Sequence, residues 1–133
     1  MSSVGWHFVM QVILAQHRRV AIVGGPHTGK STFARSVRDR PVIATDDYIN
    51  LPWEDVPAKV IEAAGAAGPA FVVEGVQAAR ALRKGLEVDA VIVLTQPKTE
   101  LTPGQAAMGK GVMTVFNEWQ AGRPPVVIAV EPR

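Results

Sequence analysis

Five short apolar runs punctuate the chain, and between them apolar residues fall three and four positions apart. The runs are Val20–Val23, Val42–Ala44, the "FVV" of "PAFVVEG", "VDAVIVL" and "RPPVVIAV". Near-continuous apolar runs of this length suit strands buried on both faces of a sheet, where no side can afford to be polar. The intervening stretches read as helices. "WHFVMQVILA" predicts a helix over about 4–17, with Trp6, Val9 or Met10, and Ile13 or Leu14 on one face. That face packs either on the domain or on a partner chain. "KSTFARSVRDR" has Phe33, Ala34 and Val37 at helical spacing, and a further helix runs from about Pro57 to Ala64, with Gly65 and Gly68 as stops. "VQAARALRKG" ends near Gly85; "TPGQAAMGKGVMTVFNEWQAG" is mostly helical, with Gly109 and Gly111 weakening its first half and Phe116 and Trp119 in the core.

Strands alternating with helices imply an α/β fold: a five-stranded, mostly parallel sheet with helices on both faces, a three-layer αβα sandwich preceded by an N-terminal helix. With no repeat, low-complexity tract or linker, residues 1–133 read as one domain. Ligands of open α/β sheets bind beyond the carboxyl ends of the strands. The residues to weigh are therefore Gly24–Ser31, Thr45–Asp47, Glu74–Gly75, Thr95–Lys98 and Glu131–Pro132.

The first of these carries the clearest chemistry. "GGPHTGKST" satisfies G-x-x-x-x-G-K-[ST] with Gly24, Gly29, Lys30 and Ser31, between an apolar strand and a helix start. Gly24 and Gly29 permit backbone angles and a close approach to phosphate that a side chain would obstruct. The amides from about Thr28 to Thr32 then point at phosphate oxygens, aided by the positive end of the helix. Lys30 reaches the outer phosphates, Ser31 offers a hydroxyl to magnesium, and Thr32 adds a contact to an inner phosphate. His27 occupies a position where any residue is accepted and is assigned no role.

Asp46 and Asp47 follow a short strand sixteen and seventeen residues after Lys30, enough chain for one helix and one strand to return to the loop. A carboxylate there can take the proton of an attacking hydroxyl, hold magnesium through water, or merely cap a turn. Asp46, nearer the strand end, is favoured. Glu74 ends a strand, and a buried acid is costly without a partner, so a magnesium contact accounts for it better than a salt bridge to an arginine. Trp53 borders an acceptor pocket or packs on the domain.

Composition changes this picture little. Net charge is +2, but residues 1–40 hold six basic side chains against the single acid Asp39. A basic first third suits an anionic ligand; a solvated basic face over Arg35 to Arg40 explains it equally well. The chain has no cysteine, which removes disulfides, thiolate catalysis and cysteine metal sites and fits a cytoplasmic protein. The N-terminal apolar run is interrupted by His7 and Gln11, too short to span a bilayer, and lacks the basic leader and cleavage site of a signal peptide.

"GGPHTGKST", "TDDY" and "VVEG" together resemble the P-loop kinases of the nucleoside and nucleotide group, including uridine-kinase-like enzymes and polynucleotide 5′-kinases. The resemblance covers Arg19 to Leu94, 76 of 133 residues. It implies the strand order 2-3-1-4-5, with the Glu74 strand beside the Gly24 strand. It also implies Mg-ATP as the nucleotide, bound by Gly24, Gly25, Thr28, Gly29, Lys30, Ser31 and Thr32. Lys30, Asp46 and Glu74 become catalytic, with Asp46 as general base, and Ser31, Asp46 and Glu74 surround the metal. Two departures stand out. Polynucleotide kinases have an arginine where this chain has Ile49, and the arginine-rich lid after the fourth strand is replaced by "TQPKTELTPGQAAMGKGVM", with Lys98 and Lys110 only. Arg80, Arg83 or Arg123 are the candidates to supply the missing charge.

The expected function is transfer of the γ-phosphate of ATP to a hydroxyl or phosphate acceptor, such as a nucleoside, nucleotide or similar small molecule. The alternative is an ATPase or nucleotide-binding module coupled to a partner protein or nucleic acid. A GTPase is disfavoured because Thr95-Gln96-Pro97-Lys98 stands where guanine-specifying Asn-Lys-x-Asp would fall. Self-association through the N-terminal helix is a further expectation.

Overall fold

The computed structural model describes residues 3–132. Its elements in chain order are α1 (Ser3–Gln16), β1 (Arg19–Gly24), α2 (Lys30–Ala34), β2 (Val42–Ala44), α3 (Val56–Ala67), β3 (Phe71–Gly75), α4 (Ala78–Lys84), β4 (Ala90–Leu94), α5 (Pro103–Ala121) and β5 (Val127–Val130). Two 3-10 turns, Thr45–Tyr48 and Trp53–Asp55, lie between β2 and α3. The sheet order is β2-β3-β1-β4-β5 and every pairing is parallel, as the sequence led us to expect.

Alternation along the buried strands divides the core between two faces. Ala21 and Val23 of β1, Val73 of β3 and Val91 and Val93 of β4 pack with α3, α4 and α5, where Phe116 is fully buried and Trp119 packs beside it. Val20 and Ile22, Val72, and Ala90, Ile92 and Leu94 face the other way. There they meet Trp6, Met10, Ile13 and Leu14 of α1 and Phe33 of α2. The apolar face of the N-terminal helix is thus spent on its own sheet, while Phe8 points outward at 68% exposure. Among the described residues no helix is long and apolar enough to cross a membrane.

Two local expectations need correction. The helix after the glycine-rich loop stops at Ala34 rather than running through Val37. Ser36 Oγ donates to Phe33 O at 2.6 Å, and Ser36 N and Val37 N donate three residues back, tightening the last turn before Pro41 forbids a return to helix. Gly65 does not stop α3, which continues to Gly68, where φ is 94°. The stretch read as mostly helical is one helix, α5, which runs through Gly109 and Gly111 and opens on a capping box between Thr102 and Gln105.

The basic first third is also partly structural. Arg40 donates to Leu14 O, His17 O and Arg18 O at 2.6–3.0 Å, capping the carboxyl end of α1. Arg19 holds Asp89 through its backbone N and its guanidinium at 2.8–3.2 Å.

Candidate functional site

Beyond the carboxyl ends of β1, β2 and β3 lies a chamber of about 650 Å³, lined among others by Lys30, Ser31, Asp46, Trp53, Glu74 and Gln77. Parallel pairing explains why these residues meet. Glu74 is in register with Ile22 of β1 on one side and Ala44 of β2 on the other. The chain turns at Thr45 immediately after β2, which sets Asp46 over the same edge. Asp46 lines the chamber and Asp47 does not.

The loop after β1 opens on two glycines with no room for a side chain. A Cβ on Gly24 would stand 2.6 Å from Thr28 Oγ1 and 2.9 Å from Leu94 O. A Cβ on Gly25 would stand 2.7 Å from Gly109 Cα, so α5 crosses directly over the loop. The missing side chain of Gly25 is what permits this approach; a Cβ on Gly109 would make only ordinary contacts at 3.9–4.0 Å. The loop is held from the far side as well: Lys98 N donates to His27 O at 2.7 Å, and Gln105 Nε2 lies 3.0 Å from His27 Nε2. His27 takes φ 61°, a strained value for a residue with a Cβ. It therefore has a place in loop geometry that the motif alone did not reveal.

Lys30 is buried at 7% exposure; its Nζ donates to Gly25 O at 2.5 Å and lies 3.4 Å from Thr28 Oγ1. Burial depresses its pKa, with the carboxylates of Glu74 and Asp46 acting in the opposite sense. Glu74 is 4% exposed, and Ser31 Oγ lies 3.4 Å from each of its oxygens. Burial pushes the Glu74 carboxyl up; Lys30 and Ser31 counter this, whereas Asp46 and Asp47 add to it. A carboxylate and a hydroxyl side by side form a hard-oxygen donor set that suits a magnesium ion, which would also relieve the desolvated charge. Among the described residues no group of three or more His, Asp or Glu side chains converges on a metal position, so the remaining ligands would have to be phosphate oxygens and water. At the start of α2, the amides of Lys30, Ser31 and Thr32 precede the first intrahelical donor, Phe33 N.

The candidate charge donors fall elsewhere. Arg83 pairs with Glu118 at 2.8 Å, and Arg80 lies 5.5 Å from the Trp53 ring centroid in a cleft shared with Glu54 and Arg83. Arg123 lies at the end of α5 with φ 53°. Lys98 pairs with the buried Glu131 at 2.9 Å, and Glu131 also accepts from Thr95 N and Gln96 N. Lys110 lines a second cavity of about 420 Å³ between the loop and α5. Arg35 borders a cleft with Ser31 and Glu74, on the α2 side.

No family model matches the chain. It is similar to GTPase Der of Syntrophobacter fumaroxidans (strain DSM 10017 / MPOB), 32% identical over 99 residues. The match covers 67% of the chain and 22% of the relative, so the chain spans about a fifth of that protein's length. With the intact phosphate loop and the sheet order, this similarity supports the P-loop NTPase superfamily, a nucleotide-binding class, and no finer group.

Proposed function

We propose that the protein is a small Mg-ATP-dependent phosphotransferase. The observation that carries this reading is the convergence of Lys30, Ser31, Glu74 and Asp46 on one chamber. The loop amides and Lys30 hold the β- and γ-phosphates, Lys30 exchanging Gly25 O for phosphate oxygen. Ser31 and Glu74 would hold magnesium, which when bound neutralises charge on the phosphates. Asp46 accepts the proton of the acceptor hydroxyl as its oxygen bonds to the γ-phosphorus and the β–γ bridging bond breaks. The nucleotide is taken as ATP. The relative's name specifies a GTPase, but this chain reads Thr95-Gln96-Pro97-Lys98 where guanine recognition would place Asn-Lys-x-Asp.

One observation favours a second reading, a P-loop ATPase or nucleotide-binding module coupled to a partner. Among the described residues no arginine lines the chamber that holds Lys30 and Asp46, so transition-state charge would have to be met from elsewhere, such as a partner chain. The two readings separate on ADP release from Mg-ATP with and without nucleosides, nucleotides and small alcohols. Phosphotransfer requires stimulation by an acceptor, lost about 10²–10⁴-fold in Asp46→Asn. Release indifferent to acceptor and to Asp46 supports the module.

A further inference from the structure

α5 divides the space around the phosphate loop in two. Its Gln105 and Met108 line the chamber of Lys30 and Asp46, whereas Ala106, Gly109, Lys110, Met113, Thr114 and Asn117 line the cavity of about 420 Å³ behind the loop. The second set recurs at three- and four-residue intervals, which makes it one stripe of the helix. The walls of the two spaces have only Pro26 in common, so a molecule can occupy one without entering the other.

The cavity behind the loop has the size and make-up of a small-molecule site, a class that spans about 300–1,000 Å³. Its apolar lining comes from Leu94 at the end of β4, from Pro97 and Leu101, and from Met113 of α5. Along α5, Lys110, Thr114 and Asn117 add polar groups at one helical spacing. Among the described residues neither the Lys110 ammonium nor the Asn117 amide has a hydrogen-bond or ion-pair partner. Thr114 Oγ1 donates to Lys110 O at 3.0 Å, so its oxygen is left to accept. Among the described residues no acidic side chain lines the cavity. One cation, one amide and an apolar lining match a single negative charge carried on an apolar body.

The remaining wall is the back of the loop, through Gly25 and Thr28. The same two residues hold Lys30, whose Nζ donates to Gly25 O at 2.5 Å and lies 3.4 Å from Thr28 Oγ1. Thr28 Oγ1 also donates to Gly25 O at 2.9 Å. Gly25 is in turn the point where α5 crosses the loop, above Gly109. An occupant packed against Gly25 and Thr28 therefore holds the arrangement in which Lys30 is tied back. Nucleotide binding draws Lys30 away from Gly25 O. Two ligands that favour different arrangements of one element are coupled, and each weakens the other by the same factor.

We infer that the cavity behind the loop is an effector site for a small carboxylate with an apolar body, and that its occupant weakens nucleotide binding by keeping Lys30 against Gly25. The carboxylate lies against Lys110 and Asn117, and the body against Leu94, Leu101 and Met113. The inference requires a nucleotide at the loop and is independent of whether its phosphoryl group is transferred.

Two methionines report on the two spaces, Met113 on the cavity and Met108 on the chamber. The full chain, labelled with carbon-13 at its methionine methyls, is titrated with hexanoate, 4-phenylbutyrate and indole-3-acetate, each against its own neutral amide. Mg-ADP affinity is measured by calorimetry with and without each compound. We expect at least one carboxylate to shift Met113 saturably, to shift Met108 less, and to bind about tenfold more tightly than its amide. At saturation it should raise the Mg-ADP Kd about threefold or more, and saturating Mg-ADP should raise the carboxylate Kd by the same factor. Lys110→Gln should bring the carboxylate down to the affinity of its amide. Ala106→Phe, which fills the cavity, should abolish both the Met113 response and the coupling, with Mg-ADP affinity within twofold of the parent. No saturable Met113 shift from any carboxylate, or amides that bind as tightly as the acids, would overturn the inference. So would a Mg-ADP affinity that the bound carboxylate leaves unchanged or tightens. Failure of Mg-ADP to bind at all would remove the nucleotide reading and this inference together.

Discussion

Ser31 Oγ stands 3.4 Å from both carboxylate oxygens of Glu74, although the two residues are 43 positions apart and lie on different elements. β1 and β3 bring them together: the loop leaves the end of β1 and Glu74 sits near the end of its parallel neighbour. The hydroxyl is a distant partner for an acid so deeply buried. Glu74 accordingly carries a raised pKa, chiefly from burial.

That cost should be visible in stability. A carboxyl with a raised folded pKa binds more protons folded than unfolded, so stability is highest below the unfolded value near 4.5 and is lost as pH rises through the folded pKa. Glu74→Gln should therefore raise Tm at pH 8 by about 3–5 °C, roughly 1 kcal/mol, with little gain at pH 4. The same substitution should lower Mg-ATP turnover by at least about a hundredfold. Thermal melts at the two pH values, paired with turnover assays, check both halves.

Gly75 offers a sharper structural test. Its φ is 137°, and a Cβ there would overlap Thr45 Oγ1 and crowd Thr45 Cβ at 2.8 Å. Gly75→Ala should cost about 2–4 kcal/mol, the strain adding to the overlap. Gly68 also has a positive φ (94°, with ψ −148°), a region open to little but glycine, yet has open space around it, so Gly68→Ala should cost about 1–3 kcal/mol from backbone strain alone. Gly65 lies inside α3 with nothing within 4 Å, and Gly65→Ala should stabilise by about 0.5–1 kcal/mol. Urea denaturation of the three variants ranks them.

The crossing of α5 over the loop is asymmetric. A Cβ on Gly25 would lie 2.7 Å from Gly109 Cα, but one on Gly109 would lie 3.9 Å from Gly25 Cα, an ordinary contact. Gly109→Ala should leave nucleotide affinity unchanged and gain up to about 1 kcal/mol from helix propensity. Gly25→Ala must push the helix or the loop aside and should weaken Mg-ATP binding by about tenfold or more. Calorimetric titration of both variants distinguishes a specific crossing from loose packing.

These glycines also show where the sequence was legible. Val20–Val23 and Val91–Val93 announced buried parallel strands because a doubly covered strand has no polar side to hide. Gly24, Gly29, Lys30 and Ser31 announced the loop because their roles are local and their spacing is fixed by one turn. What the pattern did not disclose depends on contacts distant in sequence. Gly25 reads as one more loop glycine until Gly109 of α5 is found above it. Arg40 reads as a surface charge until the carboxyl end of α1 arrives beside it. The short span of α2 was local but subtle, resting on Ser36 Oγ reaching back to Phe33 O.

The central claim, that Asp46 and the Lys30 loop act together to move a phosphoryl group, is tested most directly by following the label of γ-labelled Mg-ATP. The protein is supplied with hydroxyl acceptors, and products are separated into inorganic phosphate and organic phosphate ester. The account predicts label in the ester, abolished by Lys30→Met and reduced at least about a hundredfold by Asp46→Asn. Label recovered solely as inorganic phosphate, at a rate that Asp46→Asn leaves unchanged, would contradict it.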